Sequence, residues 1–149
     1  MADITKEEIN KMIKVAKKAS KNAFVPYNKH AFGSCVLAYD GSTYGGCNVE
    51  NSISGLGTCS EISAINHAII HGKYKFKALC LYDTKAQISY PCGVCRQYIS
   101  QFAQVSGKDF IIVLASPKGY KTMSFKELFP YGHYNRSDLD AVKSYAKRN

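Results

Sequence analysis

The chain has 149 residues, with 20 Lys and Arg against 11 Asp and Glu, for a formal net charge of +9. That length suits one domain with a core of its own, and hydrophobic and charged fractions of 46% and 21% exclude a disordered or fibrous chain. The longest apolar run, 110–115, is too short to cross a bilayer and the N-terminus lacks a secretory leader pattern, so the expected setting is cytoplasmic.

Residues 5–22 read as an amphipathic helix. Ile9, Met12, Ile13, Ala16 and Ala19 recur at helical spacing, while Lys11, Lys14, Lys17, Lys18 and Lys21 fill the remaining surface. Thr5 followed by Glu8 is a capping-box pattern at its start. Pro26 and Asn28 then break the chain. Strands are predicted over 32–39 and 43–47, joined by an Asp40-Gly41 turn into a hairpin. The Ser- and Gly-rich stretch 51–57 is a loop, and a helix follows over 59–71 with Ile62, Ile65 and Ile69 on one face. A buried strand is predicted over 77–82. Pro91 opens another helix, in which Val94, Tyr98, Ile99 and Phe102 repeat at helical spacing. Residues 110–115 form a continuous β-branched strand, and a basic helix covers 138–146. A hairpin followed by alternating helix and strand is an α/β layer architecture.

Six cysteines in a small secreted chain would imply disulfides; in a reducing setting they imply metal, catalysis or buried thiols. Spacing decides. In Pro91-Cys92-Gly93-Val94-Cys95 two thiols share a predicted helix start, where exposed N–H groups and the helix dipole favour thiolates. Cys59 begins its own helix behind Thr58 in the same way. Three thiolates leave a tetrahedral zinc one open position, the mark of a catalytic rather than a structural site. Glu61, two residues after Cys59, can lean over that position and take a proton from a water. Plainer readings stay open here. Thr58 and Glu61 form a possible capping box, and Cys92 and Cys95 a possible thioredoxin-like redox pair, although that pair explains neither Cys59 nor Glu61. A structural zinc would need a fourth ligand, for which His67 or His71 is nearest. Cys35, Cys47 and Cys80 fall on strands and are expected to be reduced structural thiols.

Through these residues the sequence resembles the cytidine deaminases, specifically the small homotetrameric zinc-dependent kind. The resemblance runs from about Pro26 to the Pro130 region. It is carried by Gly46-Cys47-Asn48-Val49-Glu50-Asn51, by Thr58-Cys59-Ser60-Glu61 with Ala64-Ile65, and by Pro91-Cys92-Gly93-Val94-Cys95-Arg96-Gln97. It implies a three-layer α/β/α sandwich around a five-stranded mixed sheet, with one catalytic domain over residues 1–149. It also implies that Cys59, Cys92 and Cys95 hold zinc, that Glu61 is the proton shuttle, and that Asn48 and Glu50 hold a ribose. Residues two apart at a strand end point to one side, which supports a joint amide–carboxylate grip on a sugar. The implied reaction is hydrolytic deamination of cytidine or deoxycytidine in pyrimidine salvage, in a homotetramer whose sites are completed by neighbouring subunits.

The chain departs from the family pattern in places. Ser60 stands where the family usually has Ala, and Ile62 where it usually has an Arg that hydrogen-bonds the thiolates; Arg96 and the helix N-termini are the candidates to compensate. His30 and His133 stand where family phenylalanines pack around the pyrimidine, which makes Ser60, His30 and His133 candidate substrate contacts. Blasticidin S-type deaminases share an apolar residue at the Ile62 position, although Asn48 and Glu50 favour a ribose-bearing substrate. A non-enzymatic zinc-binding interaction module is the alternative of a different class. The lysines are spread over a helix exterior, around 73–77 and near the C-terminus rather than along an aromatic-lined groove, so no specific nucleic-acid or membrane partner is expected.

Overall fold

A computed structural model describes residues 4–107, 110–133 and 136–148. Helix α1, Lys6–Ser20, starts on Thr5, whose hydroxyl accepts from the Glu8 amide while the Glu8 carboxylate accepts from the Thr5 amide. Strands β1 (Phe32–Ala38) and β2 (Thr43–Cys47) form the expected hairpin. Its turn uses Gly41 at φ 83°, a left-handed conformation that glycine adopts without the Cβ penalty. Helix α2 spans Ser60–Ile70, β3 Phe76–Asp83, α3 Gly93–Ser106 and β4 Ile111–Ser116. The C-terminal helix, α5, covers Arg136–Tyr145.

Three elements have no counterpart in the sequence reading, the first a 3-10 turn over Ser54–Leu56 inside the predicted loop. Strand β5, Gly119–Ser124, pairs antiparallel with β4 at the sheet edge, and a single turn, α4, follows over Phe125–Leu128. Edge strand β5 is largely exposed, so Gly-Tyr-Lys-Thr-Met-Ser carries no inward-facing apolar alternation to read.

The sheet order is β2-β1-β3-β4-β5, with β3 and β4 parallel and the other pairs antiparallel. This is the mixed five-stranded sheet expected. Alternate residues of the central strands serve opposite faces. Cys35, Leu37, Ala78, Cys80, Ile111 and Val113 pack against Ile9, Met12 and Ala16 of α1. Val36, Leu79, Leu81, Ile112 and Leu114 pack against Ala64, Ile65 and Ala68 of α2 and Ile99 and Phe102 of α3. Helix, sheet and helices make three layers. Cys35 and Cys80 are free and buried, and burial pushes the Cys35 thiol up to about 12 and raises Cys80 well above its ordinary value, which makes both inert.

Gly46 lets β2 lie directly against the start of α2. A Cβ there would stand 2.2 Å from the Ala64 amide nitrogen and 2.7 Å from the Ser60 carbonyl oxygen, both backbone atoms that cannot rotate away. Gly46→Ala is therefore expected to lower stability by about 3 kcal/mol, read as an earlier urea midpoint. An unchanged midpoint would show that α2 has slack at this point. Among the described residues, no helix is long and apolar enough to cross a membrane.

Candidate active site

Cys59 is the N-cap of α2 and Cys92 the N-cap of α3, so two helix N-termini converge on one cluster. The sulfurs of Cys59, Cys92 and Cys95 all lie within 4.8 Å of one another, with Cys59 and Cys92 Sγ 4.0 Å apart. Ligands around a tetrahedral zinc with Zn–S bonds of about 2.3 Å are separated by about 3.8 Å, so the donor set fits that ion. Thr58 does not cap α2. Its amide and carbonyl pair with Val49 instead, and α2 has no side-chain cap, which removes the capping-box explanation of Thr58 and Glu61. His67 and His71 engage the carbonyls of Gly45 and His67 through Nδ1, and neither is part of the metal-ligating cluster.

Cysteine sulfur accepts hydrogen bonds weakly: Cys92 Sγ takes the Cys95 amide at 3.5 Å. Within the triad, the hydrogen bond between Cys95 and Cys59 draws the Cys59 thiol below its ordinary value and holds Cys95 above its own. A divalent cation would drive off the remaining thiol protons.

Glu61 is 4% exposed in the first turn of α2 and is hydrogen-bonded to the Cys95 thiol, which sets its carboxyl against the cluster. Burial pushes this carboxyl up, opposed by its own amide, the Ser60 hydroxyl and the Cys95 thiol. The net shift is upward. Ser60 Oγ donates to Glu61 Oε2 at 3.1 Å, which spends its one hydrogen, so Ser34 on β1 donates to Ser60 across 2.8 Å. Both serines are buried. Ser60 thus supports the carboxylate, and Ser34 is a partner that the sequence reading did not single out.

Arg96 does not reach the thiolates. Its Nε donates to the Pro91 carbonyl at 2.8 Å and a terminal nitrogen to the Leu128 carbonyl at 3.5 Å, so its charge acts only at a distance. Ile62 packs against the core. What offsets the sulfur charge locally is the pair of helix N-termini.

Asn48 and Glu50 line one cavity with Cys59, together with Tyr27, Asn28 and Thr58; its volume is about 470 Å³, within the range of small-molecule sites. Both side chains are braced by the segment before β1. Glu50 accepts from the Tyr27 amide at 2.7 Å and the Asn28 amide at 3.1 Å. Asn48 Oδ1 accepts from the Phe32 amide at 2.8 Å and its Nδ2 donates to the His30 carbonyl at 3.0 Å.

The two histidines go elsewhere. His30 Nε2 meets Asp83 Oδ1 at 2.7 Å, and its ring lies 4.2 Å from that of Phe32. Asp83 is fully buried and escaped the sequence reading. Burial pushes its carboxyl up, but hydrogen bonds from Ser89, His30 and the Lys85 amide more than offset this and leave it below the usual carboxylate range. His133 exchanges backbone hydrogen bonds with the Gln97 side chain and lines a larger cavity of about 740 Å³ with Val94, Leu139 and Val142. That cavity is lined by none of Cys59, Asn48 or Glu50, whereas the smaller one holds all three and so reaches the thiol cluster through Cys59.

Comparison with known proteins agrees with this geometry. Residues 6–109 match the profile of the cytidine and deoxycytidylate deaminase zinc-binding region. The chain is 38% identical over 134 residues to a cytidine deaminase of Sporosarcina psychrophila, covering 89% of this chain and 95% of that protein. It is 33% identical over 148 residues to a probable cytidine deaminase of Dictyostelium discoideum, covering 97% and 96%. The crystal structure of cytidine deaminase from Burkholderia pseudomallei superimposes with a TM-score of 0.76 at 28% identity, covering 87% of this chain and all of that one.

Proposed function

The chain belongs to the cytidine and deoxycytidylate deaminase family, and on that footing we propose that Glu61 moves the protons of the reaction, that Cys59, Cys92 and Cys95 hold its zinc, and that Asn48 and Glu50 hold the sugar. It is a zinc-dependent enzyme that hydrolyses cytidine to uridine and ammonia. The observation that carries the residue roles is the buried Glu61 carboxyl set against a thiol triad whose Cys59 lines the Asn48–Glu50 cavity.

When bound, zinc supplies the Lewis acidity that makes a water nucleophilic at neutral pH. Glu61 takes up the proton that this water sheds and delivers it to N3 of cytosine, which makes C4 more electrophilic as the oxygen attacks. It next moves the hydroxyl proton to the amine on C4, and ammonia leaves. Ser60 holds the carboxylate through these exchanges by its hydrogen bond to Oε2. Asn48 and Glu50 anchor the sugar at the far side of the cavity, so the base is presented to Glu61 in one orientation.

Residues 1–149 act as one catalytic domain, serving pyrimidine salvage in the cytoplasm, where Cys35, Cys47 and Cys80 stay reduced. The working form is a homotetramer. Val49, Ile53 and Leu56, exposed apolar side chains on the segment beside the cavity, support that assembly because a neighbouring subunit would cover them. His30 acts on the substrate region only through the segment that carries it, and His133 stands at the larger cavity, apart from that region.

Purified protein incubated with cytidine, deoxycytidine, cytosine and blasticidin S, with deaminated product and zinc measured together, tests this assignment. Turnover is expected on both nucleosides, with cytosine at least about tenfold poorer because it lacks the sugar. Zinc binding with no turnover on any of them would favour the interaction-module reading, and turnover of blasticidin S alone would move the assignment to a modified nucleoside.

A further inference from the structure

Asp83 stands at the end of β3, between the two halves of the site. On one side it accepts from His30 Nε2 at 2.7 Å; an ionised carboxylate only accepts, so this nitrogen carries the hydrogen. On the other side it gathers the segment that leads to the metal cluster, accepting from the Lys85 amide at 2.8 Å, Gln87 Nε2 at 3.3 Å and Ser89 Oγ at 2.5 Å. Ser89 is followed by Tyr90, Pro91 and then Cys92, the N-cap of α3.

The His30 side is equally connected. Among the described residues, segment 27–32 supplies all the hydrogen bonds of the Asn48 and Glu50 side chains: the amides of Tyr27, Asn28 and Phe32 and the carbonyl of His30. Within it Lys29 adopts φ 55°, a left-handed conformation unfavourable for a residue with a Cβ, so the segment needs external anchors to hold its shape. Two are visible. One is His30 on Asp83, and the other is Thr84 Oγ1 donating to the Ala31 carbonyl at 2.8 Å. Both come from the same end of β3.

We propose that the pair made by partly buried His30 and buried Asp83 is a positioning device that fixes the sugar-holding residues Asn48 and Glu50 relative to the cysteine cluster, and so sets how tightly the nucleoside is held. The inference rests on the assignment of Asn48 and Glu50 to the sugar. His30 acts through segment 27–32, without touching substrate. Loss of its bond to Asp83 frees a strained loop, and the Glu50 carboxylate and Asn48 amide lose their common frame. The thiols, held by two helix starts, keep theirs.

The distinguishing measurement is steady-state kinetics on the zinc-loaded enzyme with His30→Ala, His30→Gln and His30→Phe. His30→Ala is expected to raise KM for cytidine about tenfold, with kcat within about twofold of wild type and zinc content unchanged. His30→Gln, which can still donate to Asp83, should recover most of the loss. His30→Phe, which keeps an aromatic ring but no donor, should not. In a Glu50→Ala background, His30→Ala should raise KM by less than half the factor seen alone, because the residue it positions is gone. A wild-type KM for His30→Ala, or full recovery by His30→Phe, would overturn the inference, the latter by showing that the ring contacts substrate directly. A wild-type KM for Glu50→Ala would instead overturn the sugar assignment beneath it. Thermal unfolding of each variant separates loss of fold from loss of positioning.

Discussion

Glu61→Gln is expected to retain a full complement of zinc and to lose turnover by on the order of 10³–10⁴-fold, the contribution of a well-placed general acid–base group. The substitution is nearly isosteric. A glutamine oxygen still accepts the Ser60 hydroxyl, so neither the buried hydrogen-bond chain from Ser34 nor the start of α2 has reason to move. What the amide cannot do is take a proton at neutral pH and return it. Because the same carboxyl serves N3, the attacking water and the departing amine, one substitution removes every proton transfer at once. The check is kcat by the ultraviolet change on deamination alongside zinc per chain. Zinc-replete protein with kcat within tenfold of wild type would remove Glu61 from the mechanism.

Cys92→Ala is expected to carry less than about a tenth of the wild-type zinc and to show less than about a thousandth of its activity, because two thiolates hold the ion far more weakly than three. Cys92 is the exposed member of the triad, so truncation leaves no cavity in the core. Cys47→Ala is the matching control. Cys47 is a partly exposed thiol outside the cluster, and its loss should leave zinc content and turnover within about twofold of wild type. Equal zinc loss in both variants would mean that the triad is not the binding site. Activity surviving in Cys92→Ala without zinc would separate the reaction from the metal.

Much of this arrangement was legible before any coordinates. Period-3.6 patterning locates α1, α2 and α3, each of which buries one face against the sheet, while unbroken apolar runs mark β3 and β4, which are covered on both faces, and the Asp40-Gly41 turn marks the hairpin. Strand β5 buries too little to leave that trace. The thiol triad and Glu61 were legible because the Cys59–Glu61 and Cys92–Cys95 spacings are each local patterns at a helix start, even though 33 residues separate Cys59 from Cys92. Asp83 was not, since the partner that explains it is 53 residues away and nothing local distinguishes a buried carboxylate from a turn residue. Ser34 is hidden for the same reason, as it meets Ser60 only when β1 slides under α2. His30 shows the limit of reasoning by substitution at a pattern position: local register places it near a base pocket, while a long-range carboxylate takes its side chain.

The sulfur at the start of α2 and α3 has one further consequence. Oxygen at an N-cap is worth about 1 kcal/mol over an apolar residue, and neither helix has it: Cys59 makes no side-chain cap and Cys92 offers only its thiol. A ligand that binds the folded chain alone adds stability in proportion to the logarithm of its free concentration. Removing zinc with a chelator is therefore expected to lower the thermal midpoint of the chain, and returning the ion to restore it.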